Sequence, residues 1–160
     1  MKSKILNIKE AIEVAKELKR KNKSIVLVGG FFDILHVGHI KFLEKAKKLS
    51  DILFIMLEDD EKLRKVKGEN RPIHSQKERA IILSSVKSAD YIILLKRMTN
   101  DQEYDKLVIQ IAPSIIATTY PDAFLNHKIR QAKLVNGKVK YAIKRIPKYS
   151  TTKFVKLIKE

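Results

Sequence analysis

The chain has 160 residues, 44% of them hydrophobic, and 34 Lys plus Arg against 18 Asp plus Glu give a formal charge of +16. That length and apolar content predict a single domain over 1–160 and argue against a multidomain enzyme or a wholly disordered polycation. Without cysteine there is neither a disulfide framework nor a thiolate nucleophile. No apolar run approaches the ~20 residues of a membrane span, and the start at Met1-Lys2-Ser3-Lys4 lacks a signal-peptide core, so a cytoplasmic protein is expected.

In chain order, Asn7-Ile8-Lys9-Glu10 has the form of a capping box, and Ile8, Ala11, Ile12, Ala15 and Leu18 follow at helical spacing, predicting a helix over 8–21. Ser24–Val28 is a β-branched run ending in Gly29-Gly30, as in a buried parallel strand. A second helix is predicted from Val37 through Leu49, then a strand over Ile52–Leu57. The acidic run Glu58-Asp59-Asp60-Glu61 opens a short helix, where negative charge suits the dipole. Lys65–His74, with Gly68, Asn70 and Pro72, reads as a loop. Ser75-Gln76-Lys77-Glu78 is a second capping box, for a helix to about Val86. Asp90–Leu95 is a strand, Asn100 starts a helix, and Ser114–Thr118 is the next strand. A helix over 121–135 ends at Asn136-Gly137. Lys138–Arg145 is an outer strand, and Ser150 caps a helix over Thr151–Lys159. The alternation predicts an α/β fold: a five-stranded, mostly parallel, Rossmann-like sheet with helices on both faces. Ligands then bind beyond the carboxyl ends of the strands, where strand order reverses, so the loop after the first long strand is the place to look.

That loop is Gly29-Gly30-Phe31-Phe32-Asp33-Ile34-Leu35-His36-Val37-Gly38-His39, and it gathers three of the five glycines and two of the four histidines. Gly29 and Gly30 let backbone approach a phosphate, and Gly38 clears the helix start for a base or phosphate. His36 and His39, three apart at a helix N-terminus, are placed to donate to oxygens that gain charge during phosphoryl chemistry. The segment GGFFDILHVGH, with KGENRPI at 67–73, QKERA at 76–80 and YSTTK at 149–153, resembles the cytidylyltransferase-like, H-x-G-H nucleotidyltransferases over nearly the whole chain. Among their branches it is most similar to the adenylyltransferases of D-glycero-β-D-manno-heptose 1-phosphate, then to the glycerol-3-phosphate cytidylyltransferases.

The resemblance implies attack by an acceptor phosphate on the α-phosphate of ATP or CTP, with release of pyrophosphate and assistance from Mg²⁺ carried on the triphosphate. Direct metal ligands from the protein are not expected. It implies catalytic roles for His36, His39 and Lys67, and nucleotide contacts from Gly30, Phe31, Phe32, Asp33, Gly38, His39, Arg79, Ser150, Thr151 and Thr152, with Lys67 on a loop that closes over the triphosphate. Arg145 and Lys153 flank the last three. Asp33 is read as orienting its loop or holding Mg²⁺ through water. Lys65, Arg71 and Asp122 are acceptor-side candidates, and a homodimer is implied by relatives that pair about a two-fold axis. Two positions depart from the heptose pattern: Phe31, after Gly30, stands where Cys is usual, and Thr118-Thr119-Tyr120-Pro121-Asp122 replaces a Lys-Gly-Gly-Asp-type turn. FMN or phosphopantetheine acceptors are alternatives on the same scaffold.

Charge offers a reading of another class. Residues 126–160 hold eleven Lys or Arg against the single Glu160, net +10. Such a segment suits an RNA surface, an anionic small-molecule site or a solvated face. Lys outnumbers Arg 27 to 7 and aromatics are sparse between the cations, which disfavours base reading and stacking on nucleic acid.

Overall fold

The computed structural model describes residues 3–158, so the expected helix end at Lys159 lies outside the described residues. The elements are β1 (Ile5–Leu6), α1 (Ile8–Arg20), β2 (Ile25–Gly30), α2 (Val37–Lys47), β3 (Ile52–Leu57), α3 (Asp60–Lys67), α4 (Gln76–Ser84), β4 (Tyr91–Leu94), α5 (Asp101–Ile111), β5 (Ile115–Tyr120), α6 (Leu125–Leu134), β6 (Lys138–Lys144) and α7 (Thr151–Ile158). All pairs are parallel, in the order β1-β4-β3-β2-β5-β6.

Six strands therefore stand where five were predicted. The extra one, β1, pairs Ile5 with Ile92 and Leu6 with Ile93 at the sheet edge. Two residues carry no periodicity, so only the pairing with β4 reveals it.

Alternation along the strands builds two cores. Val26 and Val28 of β2 face Leu43 and Ala46 of α2 and Ala80 and Leu83 of α4. Ile25 and Leu27 turn the other way, into a cluster with Ala11 and Ala15 of α1 and Leu107, Val108 and Ile111 of α5. Successive side chains point to opposite faces, and helices cover both, which is why these strands read as continuous apolar runs.

Both predicted capping boxes form: Asn7 with Glu10, and Ser75 with Glu78. The acidic run also works structurally, with Asp59 accepting from Lys62 N to start α3, Glu58 paired to Lys62 at 2.7 Å, and Glu61 paired to Arg97.

Two boundaries differ from expectation beside the site. The stretch 65–67 is not loop but the last turn of α3, because Lys65, Val66 and Lys67 tolerate helix and nothing stops it until Gly68 at φ +103°. Helix α6 starts four residues later than predicted, at Leu125, because the Asp122 side chain accepts from Phe124 N at 2.8 Å and holds a turn there. No helix among the described residues is long and apolar enough to cross a membrane.

Candidate active site

Strand β2 lies between β3 and β5, and the chain leaves it in opposite directions, first to β3 and later to β5. The crevice beyond its carboxyl end is the topological switch point of the sheet. A cavity of about 370 Å³ occupies that place. Its wall includes Gly30, Phe31, Phe32, Asp33, His36, Gly38, His39, Lys67, Arg71, Asp122, Ser150, Thr151 and Thr152, which the fold gathers from sequence positions up to 122 apart. Lys65 and Arg79 are not on it.

His36 is the N-cap of α2 and His39 its third residue. Their rings stack at 3.8 Å with 21° between the planes. The His36 backbone N–H donates to His39 Nδ1 at 3.4 Å, so a neutral His39 carries its proton on Nε2. Burial, and then the neighbouring His36, push the His39 pKa down to about 4. Burial also lowers that of His36. Both rings are thus neutral hydrogen-bonding groups near pH 7. His36 Nδ1 is buried without a partner among the described residues, an uncommon cost that a ligand or water oxygen would relieve.

Gly38 serves this pair. A Cβ there would lie 3.0 Å from His36 Cε1 and Nδ1. At Gly30 a Cβ would meet the Phe32 ring at 2.9 Å, and Phe32 itself sits at φ +47°, buried against His39. The loop is therefore held by packing in a backbone region that side-chain-bearing residues seldom use.

Asp33 is buried and saturated. It accepts from Arg71 Nε at 2.5 Å, from Ile73 N at 2.9 Å and from His74 N at 3.1 Å. Burial raises its pKa, but the His74 and Ile73 amides and Arg71 outweigh that and hold the carboxyl below its usual range. Of the two roles expected for Asp33, the structure shows the first: it ties the 71–74 segment to the H-x-G-H loop.

Arg79 is corrected by its surroundings. Its side chain is fully buried, with Nε on His74 O (3.1 Å), Nη1 on Phe31 O (2.5 Å), and Nη2 on Glu58 O (2.9 Å) and Asp60 (2.6 Å). It staples the ends of β2 and β3 to the start of α4 and has no face toward the cavity. Lys65 is exposed on the far side of α3 from Lys67 by helical rotation. Lys153 donates to Pro147 O instead of reaching the cavity.

On the opposite wall, Thr118 and Lys128 both bond Asp122, at 2.6 and 2.5 Å. Burial again raises the Asp122 pKa, and Lys128, Thr118 and Phe124 N more than compensate. Lys144 and Arg145, at the end of β6, complete the basic lining. Lys128 and Lys144 were missed by sequence reasoning, since both are hidden among the lysines of the 126–160 segment. Helix α7 begins here, with Ser150 Oγ accepting from Lys153 N and Thr151 Oγ1 donating to Ile34 O at 3.2 Å, while Tyr149 and Phe154 flank the His36 ring.

Of the two cavity carboxylates, Asp33 is saturated by protein donors and Asp122 keeps one acceptor position, on Oδ1, beside those taken by Thr118, Lys128 and Phe124 N, and the described residues hold no cluster of three or more His, Asp or Glu arranged as metal ligands. This donor set does not fit a resident divalent ion.

A parallel Rossmann-like sheet with H-x-G-H at its switch point and a hydroxyl-rich helix start across the cavity defines a nucleotidyltransferase-class enzyme domain. The chain belongs to the cytidylyltransferase-like family, whose profile matches residues 27–157. It is 36% identical over 130 residues to the bifunctional protein HldE of Desulfatibacillum aliphaticivorans, covering 79% of this chain and 26% of that protein. To HldE of Aliarcobacter butzleri it is 43% identical over 97 residues, covering 61% and 20%. The chain thus spans about a quarter or less of the length of these relatives. Among solved structures, a lipopolysaccharide core biosynthesis protein from Thermoplasma volcanium superposes with TM-score 0.59 at 33% identity, covering 80% of this chain and 99% of that one. A pantoate-beta-alanine ligase from Francisella tularensis, complexed with beta-gamma ATP and beta-alanine, gives TM-score 0.62 over 97% and 76% of the two chains, and at 17% identity the likeness is one of fold.

Proposed function

We propose that this domain transfers AMP from ATP to the phosphate of a sugar phosphate resembling heptose 1-phosphate, releasing pyrophosphate. The observation that carries this reading is the single cavity that joins His36 and His39 to Lys67 on one side and to Arg145 and Ser150–Thr152 on the other. The likeness to HldE proteins along the chain favours the heptose-type acceptor and ATP.

The chemistry asks for positioning and charge neutralisation rather than a protein nucleophile. An oxygen of the acceptor phosphate attacks the α-phosphorus, the bond from that phosphorus to the α–β bridging oxygen breaks, and its electron pair leaves with pyrophosphate. The attacking phosphate is already anionic, so no general base is required. His36 and His39, neutral and fixed at the α2 N-terminus, donate to the oxygens on which negative charge accumulates. Lys67 neutralises charge from the α3 side. Free amides and hydroxyls at the α7 start, with Arg145, receive the leaving pyrophosphate. Mg²⁺ arrives as part of the nucleotide substrate, and the setting is the cytoplasm, where ATP is available.

Asp122 fits the nucleoside side of the cavity better than the acceptor side expected from sequence. It shares that wall with apolar Ala117, Ile143 and Ile146, a surface suited to a base, while its carboxylate suits ribose hydroxyls.

The decisive experiment offers the protein Mg²⁺ with ATP or CTP and a panel of sugar 1-phosphates and glycerol 3-phosphate, following pyrophosphate. Release with ATP and a sugar 1-phosphate, reduced at least ~100-fold by His36→Ala, is expected. Release with CTP and glycerol 3-phosphate instead, or none in any pairing, overturns the reading.

A further inference from the structure

The sequence nominates four cations between residues 65 and 79 as anion contacts: Lys65, Lys67, Arg71 and Arg79. Folding separates them sharply, since only Lys67 and Arg71 line the cavity. Arg71 is the unusual one. Its side chain is 8% exposed and its partner Asp33 1%, yet the pair lies at the cavity wall rather than in the core. Asp33 engages Nε alone. Nη1 and Nη2 have no protein partner among the described residues and keep some exposure, on a side chain that lines the cavity. A guanidinium held by Nε and free at both terminal nitrogens is a planar fork of fixed orientation, the arrangement that grips two oxygens of one phosphate.

Topology says which phosphate. An in-line displacement puts attacking and leaving oxygens on opposite sides of the α-phosphorus. The H-x-G-H residues follow β2, the centre of the site. Arg145 and the α7 start follow β6, on one side of β2, whereas Lys67 and Arg71 follow β3, on the other. With pyrophosphate leaving toward β6, the β3 side is where the attacking group waits. Arg79, spent on three backbone carbonyls and Asp60, cannot serve there.

The geometry points to Arg71, pinned by Asp33, as the residue that binds and orients the acceptor's own phosphate, making a phosphate monoester the chemical class the enzyme accepts. A carboxylate acceptor offers the fork two oxygens but leaves Lys67 without a third, so the preference is for the monoester. This inference rests on the nucleotidyl-transfer reading for the acceptor's role, but the phosphate site itself can be tested without turnover.

Inorganic phosphate is titrated into ¹⁵N-labelled protein, with and without α,β-methylene-ATP, while the Arg71 Nε–H and the Ile73 and His74 amides are followed. These three donate to Asp33 and so report on the fork. In the wild type all three are expected to shift saturably, and still to do so with the nucleotide analogue bound. Arg71→Lys keeps the charge but loses the fork, and is expected to weaken phosphate by about 10- to 100-fold with ATP affinity changed less than about 2-fold. In turnover, the same variant raises the acceptor KM and leaves that of ATP unchanged. Wild-type signals that do not move, displacement of phosphate by the ATP analogue, or equal loss of ATP and phosphate in the variant would each overturn the assignment. If the variant does not fold, the wild-type Arg71 Nε–H decides alone. Phosphate binding at the fork without pyrophosphate release from any sugar phosphate would refute transfer to a sugar phosphate and leave the site standing.

Discussion

The imidazoles of His36 and His39 stack at 3.8 Å, nearly parallel, at the first turn of α2. Two protonated rings cannot share that spacing in a site partly shut off from water, and His39, with a pKa of about 4, is the one that stays neutral. The sign of the resulting pH dependence follows. A histidine depressed in the folded state binds fewer protons there than when unfolded, so its effect costs nothing above the unfolded value near 6.5 and grows as pH falls from there toward about 4. Wild-type stability should therefore drop by about 2–3 kcal/mol more than that of His39→Gln between pH 7 and 4, read from urea unfolding at each pH. Turnover should show no inflection at 6.5; a rate that falls on raising pH through that value would mean the imidazolium is the working form.

Arg79 gives a prediction of the opposite kind. Because its guanidinium bonds Phe31 O, His74 O and Glu58 O as well as Asp60, replacing it strands buried carbonyls. Arg79→Met should destabilise the fold by about 3–5 kcal/mol in urea denaturation. Arg79→Lys, where folded, should bind ATP nearly as the wild type does. Normal stability with lost ATP binding would return Arg79 to the substrate.

These two arginines show where the sequence was legible and where it was not. Clustering of glycine and histidine in 29–39 marks the loop, and capping patterns such as Asn7 with Glu10 need only local spacing, so both survive into the structure. Arg71 and Arg79 differ only in which way each side chain turns, and that depends on Asp33, Glu58 and Phe31, which lie 21 to 48 residues away. Lys128 is hidden for a different reason, since its partner Asp122 is only six residues away, across a turn at the end of β5, and the lysine is one of many in its segment. Edge strand β1 fails for another reason: with two residues it has no pattern of its own and exists through its pairing with β4.

Gly38 separates packing from catalysis. A Cβ at this position would sit 3.0 Å from the His36 ring and 3.4 Å from Tyr149 Cβ, and the ring is the part able to give way. Alanine suits a helix better than glycine by about 1 kcal/mol, which offsets part of the crowding. Gly38→Ala should thus leave the thermal midpoint within a few degrees of the wild type and yet lower kcat by at least ~10-fold through displacement of His36. Equal activity in the two proteins would show that the His36 ring position is not what the reaction depends on.

Asp122 and Lys128 form the polar corner of the wall assigned to the nucleoside. Donors from Lys128, Thr118 and Phe124 N hold the carboxyl below its usual range against the opposing effect of burial, so it is ionised at neutral pH and accepts hydrogen bonds. A depressed carboxyl contributes stability above its unfolded value and loses it as pH falls through the folded one, so Asp122→Asn should flatten the acid limb of the wild-type stability curve. Its effect on ligands separates ribose from phosphate. Asp122→Asn should weaken ATP by about 10-fold, the cost of one charged hydrogen bond, while inorganic tripolyphosphate binds both proteins alike. Calorimetric titration of the two ligands measures this directly. A parallel loss for ATP and tripolyphosphate would place Asp122 on the phosphates through Lys128, and the nucleoside would then have to be sought elsewhere along the cavity.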